Sequence, residues 1–281
     1  MSPATTVARR FRGNLVALLA AASISGIDVV IEPVQAQTEP PIAVYAAGSL
    51  REAMTAIAGD WESRTGRRVA LTFGASGLLR ERIERGEAAD VFASADTDHP
   101  QRLARVGPWQ PPVVFARNVL CALTGPSVTT TSAGLLDTML RPDVRLGTST
   151  PKADPSGDYA WALFRRADSV RPGAFATLEA KALKLTGGPD SPRPPPGVGT
   201  YAWVMDQGQA DVFLTYCTNA VAAQREMPRL GIVAVPPELQ VGAAYGLTVR
   251  RDAPASAAQF VELLLSPEGQ STLARFGFGK P

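Results

Sequence analysis

Two short stretches, Ala47-Gly48-Ser49-Leu50 and Gly74-Ala75-Ser76-Gly77, share one physical design. Each follows a run that reads as a strand, uses small residues that let the backbone come close to a guest, and sets a serine at the first turn of a helix. The first N–H groups of a helix have no partner inside it and carry the positive end of its dipole. With a hydroxyl added, such a turn is an anion cradle that needs no cation. The commoner duty of a serine there is to cap its own helix. Two such turns, 27 positions apart, favour the cradle, because adjacent parallel strands bring both to one carboxyl edge of a sheet, where ligands bind.

No catalytic constellation accompanies them. His99 is the single histidine, which excludes a multi-histidine metal site, and beside Pro100 it reads as an exposed loop residue without a nucleophile nearby. Ser149-Thr150-Pro151-Lys152 has the spacing of an acylating Ser-x-x-Lys, but Pro151 spoils the helical turn and no Lys-Thr-Gly follows. Gly197-Val198-Gly199 resembles the start of a dinucleotide fingerprint, yet a proline run precedes it where a strand is needed, so it reads as a helix start. For an enzyme acting on a small organic acid, the acid or base candidates near the cradles are Asp96 and Asp158. The two cysteines, Cys121 and Cys217, cannot clamp a metal; they are a possible disulfide or two buried thiols.

The elements that position these residues alternate between strand and helix, which predicts an α/β fold. Strands are expected at 42–46, 69–73, 90–94, 113–123, 145–148, 211–217, 231–235 and 245–249. Between them Leu50, Met54, Ile57 and Trp61 mark one buried helix face, Leu79 and Ile83 another, and Tyr159, Leu163 and Phe164 a third, opened by Asp154-Pro155. Residues 187–197 are too rich in proline and glycine for regular structure, and the tail from Pro254 forms two helices broken at Ser266-Pro267.

At 281 residues the chain suits two lobes, and with 45% hydrophobic and 19% charged residues it can bury a sizeable core. A net charge of +2 without a basic run makes nucleic acid an unsuitable partner. Arg9, Arg10 and Arg12, the apolar stretch Leu15 to Ile24 and the small-residue site Val34-Gln35-Ala36 have the layout of a cleaved secretory signal over 1–36. A membrane anchor would need about 20 continuous apolar residues, and Ser23, Ser25, Gly26 and Asp28 break this stretch.

Val44 to Leu50, Phe73 to Leu79 and Ala89 to Asp96, taken in order, resemble the periplasmic molybdate-binding proteins of ATP-binding cassette transporters. The similarity continues through Pro155 to Ala160, Phe213 to Tyr216 and Leu265 to Phe278. The resemblance implies a two-lobed periplasmic-binding-protein fold, each lobe a mainly parallel sheet flanked by helices, with two hinge crossovers. Lobe one is expected over 40–115 plus 236–281 and lobe two over 116–235. It also implies a monomer without a cofactor that holds molybdate or tungstate between the lobes by neutral hydrogen-bond donors and hands it to a membrane permease; sulfate or another oxyanion is the alternative guest. Residue by residue, Ser49 and Ser76 match the family's first-lobe serines, Ser156 a position whose backbone N–H is used, Val198 a second backbone donor, and Tyr216 the phenol donor.

Overall fold

The computed structural model describes residues 39–281; the expected secretory signal over 1–36 lies outside the described residues. In chain order the elements are β1 Ile42–Ala47, α1 Arg51–Thr65 after a single 3-10 turn at Gly48–Leu50, β2 Val69–Gly74, α2 Ser76–Glu84, β3 Val91–Ser94 and α3 Asp98–Val106. The long β4 Val113–Thr124 follows, then α4 Leu135–Leu140, β5 Leu146–Ser149, α5 Pro155–Val170, α6 Ala174–Lys181 and β6 Leu183–Thr186. The chain closes with α7 Thr200–Asp206, β7 Val212–Tyr216, α8 Cys217–Glu226, β8 Gly231–Ala234, β9 Gly242–Val249, α9 Ala255–Leu265 and α10 Pro267–Arg275.

The strands form one curled sheet in the order β2-β1-β3-β9-β4-β7-β5-β6, with β8 also on β4. At one end β2, β1 and β3 are mutually parallel; at the other, β7, β5 and β6 are. Antiparallel β9 and β4 join the two blocks, and these are the two crossovers of a two-lobed periplasmic-binding-protein fold. Val113 to Val119 of β4 pair with β9 around a bulge between Val114 and Ala116, whereas Leu120 to Thr124 pair with β7. One strand is thus shared between both halves.

Local signals explain the helices that flank this sheet. Leu50, Met54, Ile57 and Trp61 are all buried, as their spacing requires, and Trp61 meets Phe260 of α9 edge-on with ring centroids 5.8 Å apart. Each fully buried side chain of this size contributes roughly 1.5–3 kcal/mol. Gly66 ends α1 in the left-handed conformation, with φ of 68°. The Asp154 side chain caps α5 by accepting from the Ser156 N–H, and Pro155 takes the first helical position, where a missing N–H costs nothing.

Three features depart from expectation. His99 lies in α3, not in a loop, because Pro100 falls within the first turn of that helix, where it breaks no internal hydrogen bond. Its side chain is largely buried, with Nε2 3.6 Å from an Asp96 carboxylate oxygen. The short α6 and β6 lacked a clear period in the sequence; Leu183-Lys184-Leu185 is too brief an alternation to identify.

Cys121 and Cys217 form a disulfide, with Cα atoms 4.8 Å apart, that ties β4 to the first residue of α8. Closing a loop across 96 positions removes much freedom from the unfolded chain. The double variant Cys121→Ser/Cys217→Ser is therefore expected to lose about 2–5 kcal/mol of stability, read from urea unfolding monitored by circular dichroism.

Candidate functional site

A cleft of about 560 Å³ lies at the carboxyl ends of both parallel blocks. The register fixes its first wall. Ala47 of β1 is opposite Gly74 of β2, so Ser49 and Ser76, each two residues further on, emerge side by side. Ala46 is likewise opposite Ala93 of β3, which brings Ala95 to the same edge. Tyr216, at the end of β7, and Thr186, at the end of β6, supply the other wall.

Neither serine caps its own helix. Ser76 is 1% exposed, and its Oγ accepts from the Ala95 N–H at 3.1 Å. That bond uses a lone pair and leaves the hydroxyl proton free to be donated. Ser49 Oγ is 2.8 Å from the Tyr245 hydroxyl, whose oxygen also accepts from Asn118 Nδ2 at 3.3 Å. Asn118 Nδ2 donates to Thr218 as well, at 2.8 Å. Either hydroxyl of the Ser49–Tyr245 pair can be the donor; when Tyr245 donates, the Ser49 proton is available to a guest. Burial holds the Tyr245 phenol far above its ordinary range, so it stays a neutral relay.

Tyr216 is fully enclosed, and its hydroxyl donates to the Ala95 carbonyl at 3.3 Å. The backbone of Ala95 is therefore gripped at its N–H by Ser76 and at its C=O by Tyr216. A second bond crosses nearby, from the Gly77 N–H to the Ala153 carbonyl at 2.8 Å. Only glycine permits it: a Cβ at position 77 would lie 2.4 Å from the Lys152 carbonyl oxygen and 2.7 Å from that of Ala153.

Three carboxylates join these neutral groups: Glu52, paired with Arg225 at 3.2 Å, Glu226, which accepts the Gly199 N–H at 2.8 Å, and Asp154. Asp154 is on the cleft wall, enclosed by protein except for a face open to the cleft. Desolvation raises its pKa to about 6, against the hydrogen bond from the Ser156 N–H that favours the charged form. Gly187, with φ of 73°, packs directly on it; a Cβ there would come within 2.5 Å of the Asp154 side chain. Tyr201 lies on the same wall, its phenol pushed up to about 12 by burial. The arginines that line the cleft are more exposed: Arg51 stacks 4.5 Å over the Phe73 ring and Arg82 pairs with Glu87 at 2.7 Å, while Arg193 projects from the proline-rich loop.

Of the residues expected from sequence, the fold brings Ser49, Ser76 and Tyr216 to one cleft. Ser156 lies behind it, wholly buried, with its N–H held by Asp154 and its Oγ without a partner. Val198 is 41% exposed and not on the wall, because a turn in the proline-rich segment gives its N–H to the Pro195 carbonyl. Residues 187–189 and 191–194 of that segment, and 199–202 beyond it, do reach the cleft. Asp96 and Asp158, the candidates for acid–base work, line a separate charged cleft with His99 and Lys152. Tyr245, Asn118 and Asp154 were not singled out as site residues, since a strand residue, a mid-strand amide and a helix cap carry no motif of their own.

Comparison with known proteins agrees with this architecture. Residues 42–279 match the family model described as bacterial extracellular solute-binding protein. The uncharacterized protein PM1146 of Pasteurella multocida is 38% identical over 237 residues, covering 84% of this chain and 97% of that protein. The molybdate-binding protein ModA of Mycobacterium tuberculosis is 28% identical over 250 residues, 85% of each chain. Among solved structures, the periplasmic molybdate-binding protein of Azotobacter vinelandii superposes with a TM-score of 0.69 at 19% identity, covering 85% of this chain and 99% of that one. The sulfate-binding protein SubI of Mycobacterium tuberculosis gives 0.67 at 20% identity, covering 85% and 86%. At these identities the two structures show a shared fold.

Two expected outcomes check the geometry. Gly77→Ala should lower stability by about 1–3 kcal/mol in urea unfolding, because its Cβ must displace backbone. Gly59→Ala, in mid-helix with nothing near its Cβ, should instead raise stability by up to about 1 kcal/mol. For Asp154 the sign runs the other way from an ordinary carboxylate. A folded-state pKa raised from 3.8 to about 6 favours the fold at acid pH, an advantage lost as pH rises through about 6. Asp154→Asn should therefore gain on the parent protein between pH 4 and pH 8. The gain is at most about 3 kcal/mol, and less as cleft water screens the charge, read from paired thermal melts.

Proposed function

The chain belongs to the bacterial extracellular solute-binding proteins, and from that membership we propose that it captures a tetrahedral oxyanion, molybdate or tungstate, outside the cytoplasm and delivers it to the permease of an ATP-binding cassette transporter. The observation that carries this reading is the pair of serine hydroxyls at one sheet edge: Ser76 accepts the Ala95 N–H and keeps its proton unspent, and Ser49 shares a hydrogen bond with Tyr245 in which either hydroxyl can donate. A fully ionised oxyanion has only acceptor oxygens, so such protons are the complement it needs. Tyr216 is the third donor in this reading, exchanging the Ala95 carbonyl for the guest. Ser156 and Val198 would reach a guest only after a local rearrangement.

The protein acts as a monomer whose two lobes, 40–115 with 236–281 and 116–235, close on the guest about β4 and β9. Two relatives support an oxyanion as the ligand class: the molybdate-binding protein ModA of Mycobacterium tuberculosis and a sulfate-binding protein of Synechococcus elongatus, 26% identical over 241 residues.

A second reading rests on the size of the cleft. About 560 Å³ falls in the range of pockets for small organic molecules, so an oxyanion with an organic extension, such as a phosphate ester, would also fit. A thermal-shift panel of molybdate, tungstate, sulfate, phosphate and a three-carbon phosphate ester separates the two, because tight binding raises the apparent melting temperature. Molybdate and tungstate are expected to give the large shifts; a large shift with the ester alone would favour the second reading. Ser76→Ala should weaken molybdate binding by roughly 1–3 kcal/mol in titration calorimetry, the loss of a hydrogen bond to a charged group. An unchanged dissociation constant would remove Ser76 from the site.

A further inference from the structure

Asp154 sets a problem that the neutral donors do not. A carboxylate on the wall of a cleft for a dianion repels that guest, and the low dielectric of an enclosed site strengthens the repulsion. The cations on the cleft wall are engaged elsewhere or exposed: Arg82 pairs with Glu87, Arg51 lies over the Phe73 ring, and Arg193 is exposed. The Ser156 N–H of α5 donates to Asp154 at 3.1 Å, and the Gly187 backbone packs on it after β6. The ionisable groups that bear on it most, Asp158 from α5 and Asp96 from the end of β3, are both acidic. The phenols of Tyr201, Tyr216 and Tyr245 face it from α7, β7 and β9 and are buried and neutral. Lys152 and His99 act on Asp158, one step further away.

We propose that Asp154 determines which form of the guest is bound: the cleft holds an oxyanion together with one proton, shared between an Asp154 carboxyl oxygen and an oxygen of the guest. This rests on the oxyanion reading above. With molybdate the proton comes from the buffer, and the Asp154 carboxylate becomes a carboxylic acid that donates to an oxide oxygen; no other bond forms or breaks. With an oxyanion that already carries a proton, the carboxylate accepts it. In both cases a repulsive contact becomes a donor–acceptor pair. Burial lifts the Asp154 pKa to about 6, so the empty protein carries the carboxylate at pH 7.5, and a neighbouring dianion raises that pKa further and draws the proton in.

Titration calorimetry of sodium molybdate into the full chain at pH 7.5, in two buffers of different ionisation enthalpy, counts the protons taken up. The expected count is about one, and between pH 7 and pH 8.5 the affinity should fall about tenfold per pH unit. Asp154→Asn keeps the helix cap, because asparagine caps as well as aspartate. It should bind molybdate with no proton uptake and a flat profile over the same range. Binding by the parent protein without proton uptake overturns the proposal and leaves the oxyanion reading standing. No binding of molybdate, tungstate or sulfate at any pH overturns both. Should the variant fail to fold, as judged by circular dichroism, the proton count of the parent protein decides alone.

Discussion

The backbone of Ala95 holds the site together. Its N–H is taken by Ser76 from the first parallel block, and its C=O by Tyr216 from the second. The two strand ends that meet there are separated by β9 and β4 in the sheet order, so the grip ties opposite ends of the sheet to one residue. The register of β3 on β1 sets where its backbone emerges.

The hydroxyls acquire direction from their partners. A lone serine hydroxyl donates or accepts as its neighbours require, and a free one does neither in particular. Here Ser76 receives an N–H, which leaves its proton for a guest, and Ser49 is tied to Tyr245, whose oxygen also accepts from Asn118. Asn118 lies on the β9-paired part of β4 and Tyr245 on β9, so the crossover strands serve the chemistry as well as the architecture.

Much of this was legible in the sequence, and what was not has physical causes. Strong periods gave the strands and the long helices: Leu50, Met54, Ile57 and Trp61 are buried as their spacing demanded. The paired turns at Ser49 and Ser76 could be placed together because parallel register follows from alternating strands and helices. Tyr216 was placed by resemblance alone. Asp154 looked like a helix cap, and it is one; that the same carboxylate also faces a cleft depends on Gly187, thirty-three residues away, packing against it. Val198 shows the converse: a local proline turn takes the N–H that the family resemblance implies for the guest. Short-range signals identify elements, whereas a polar group's final partner is settled by chain from other parts of the fold.

The division of β4 has a mechanical consequence. Because one unbroken backbone runs through both halves, with β9 on its first part and β7 on its second, sliding of one half past the other would rupture ladder hydrogen bonds on both sides at once. Twisting does not carry that cost, and the bulge between Val114 and Ala116 is where a strand yields to it most readily. The strand is thus a torsion bar: stiff in shear, compliant in rotation, and fastened beyond its soft point by the bridge from Cys121 to Cys217.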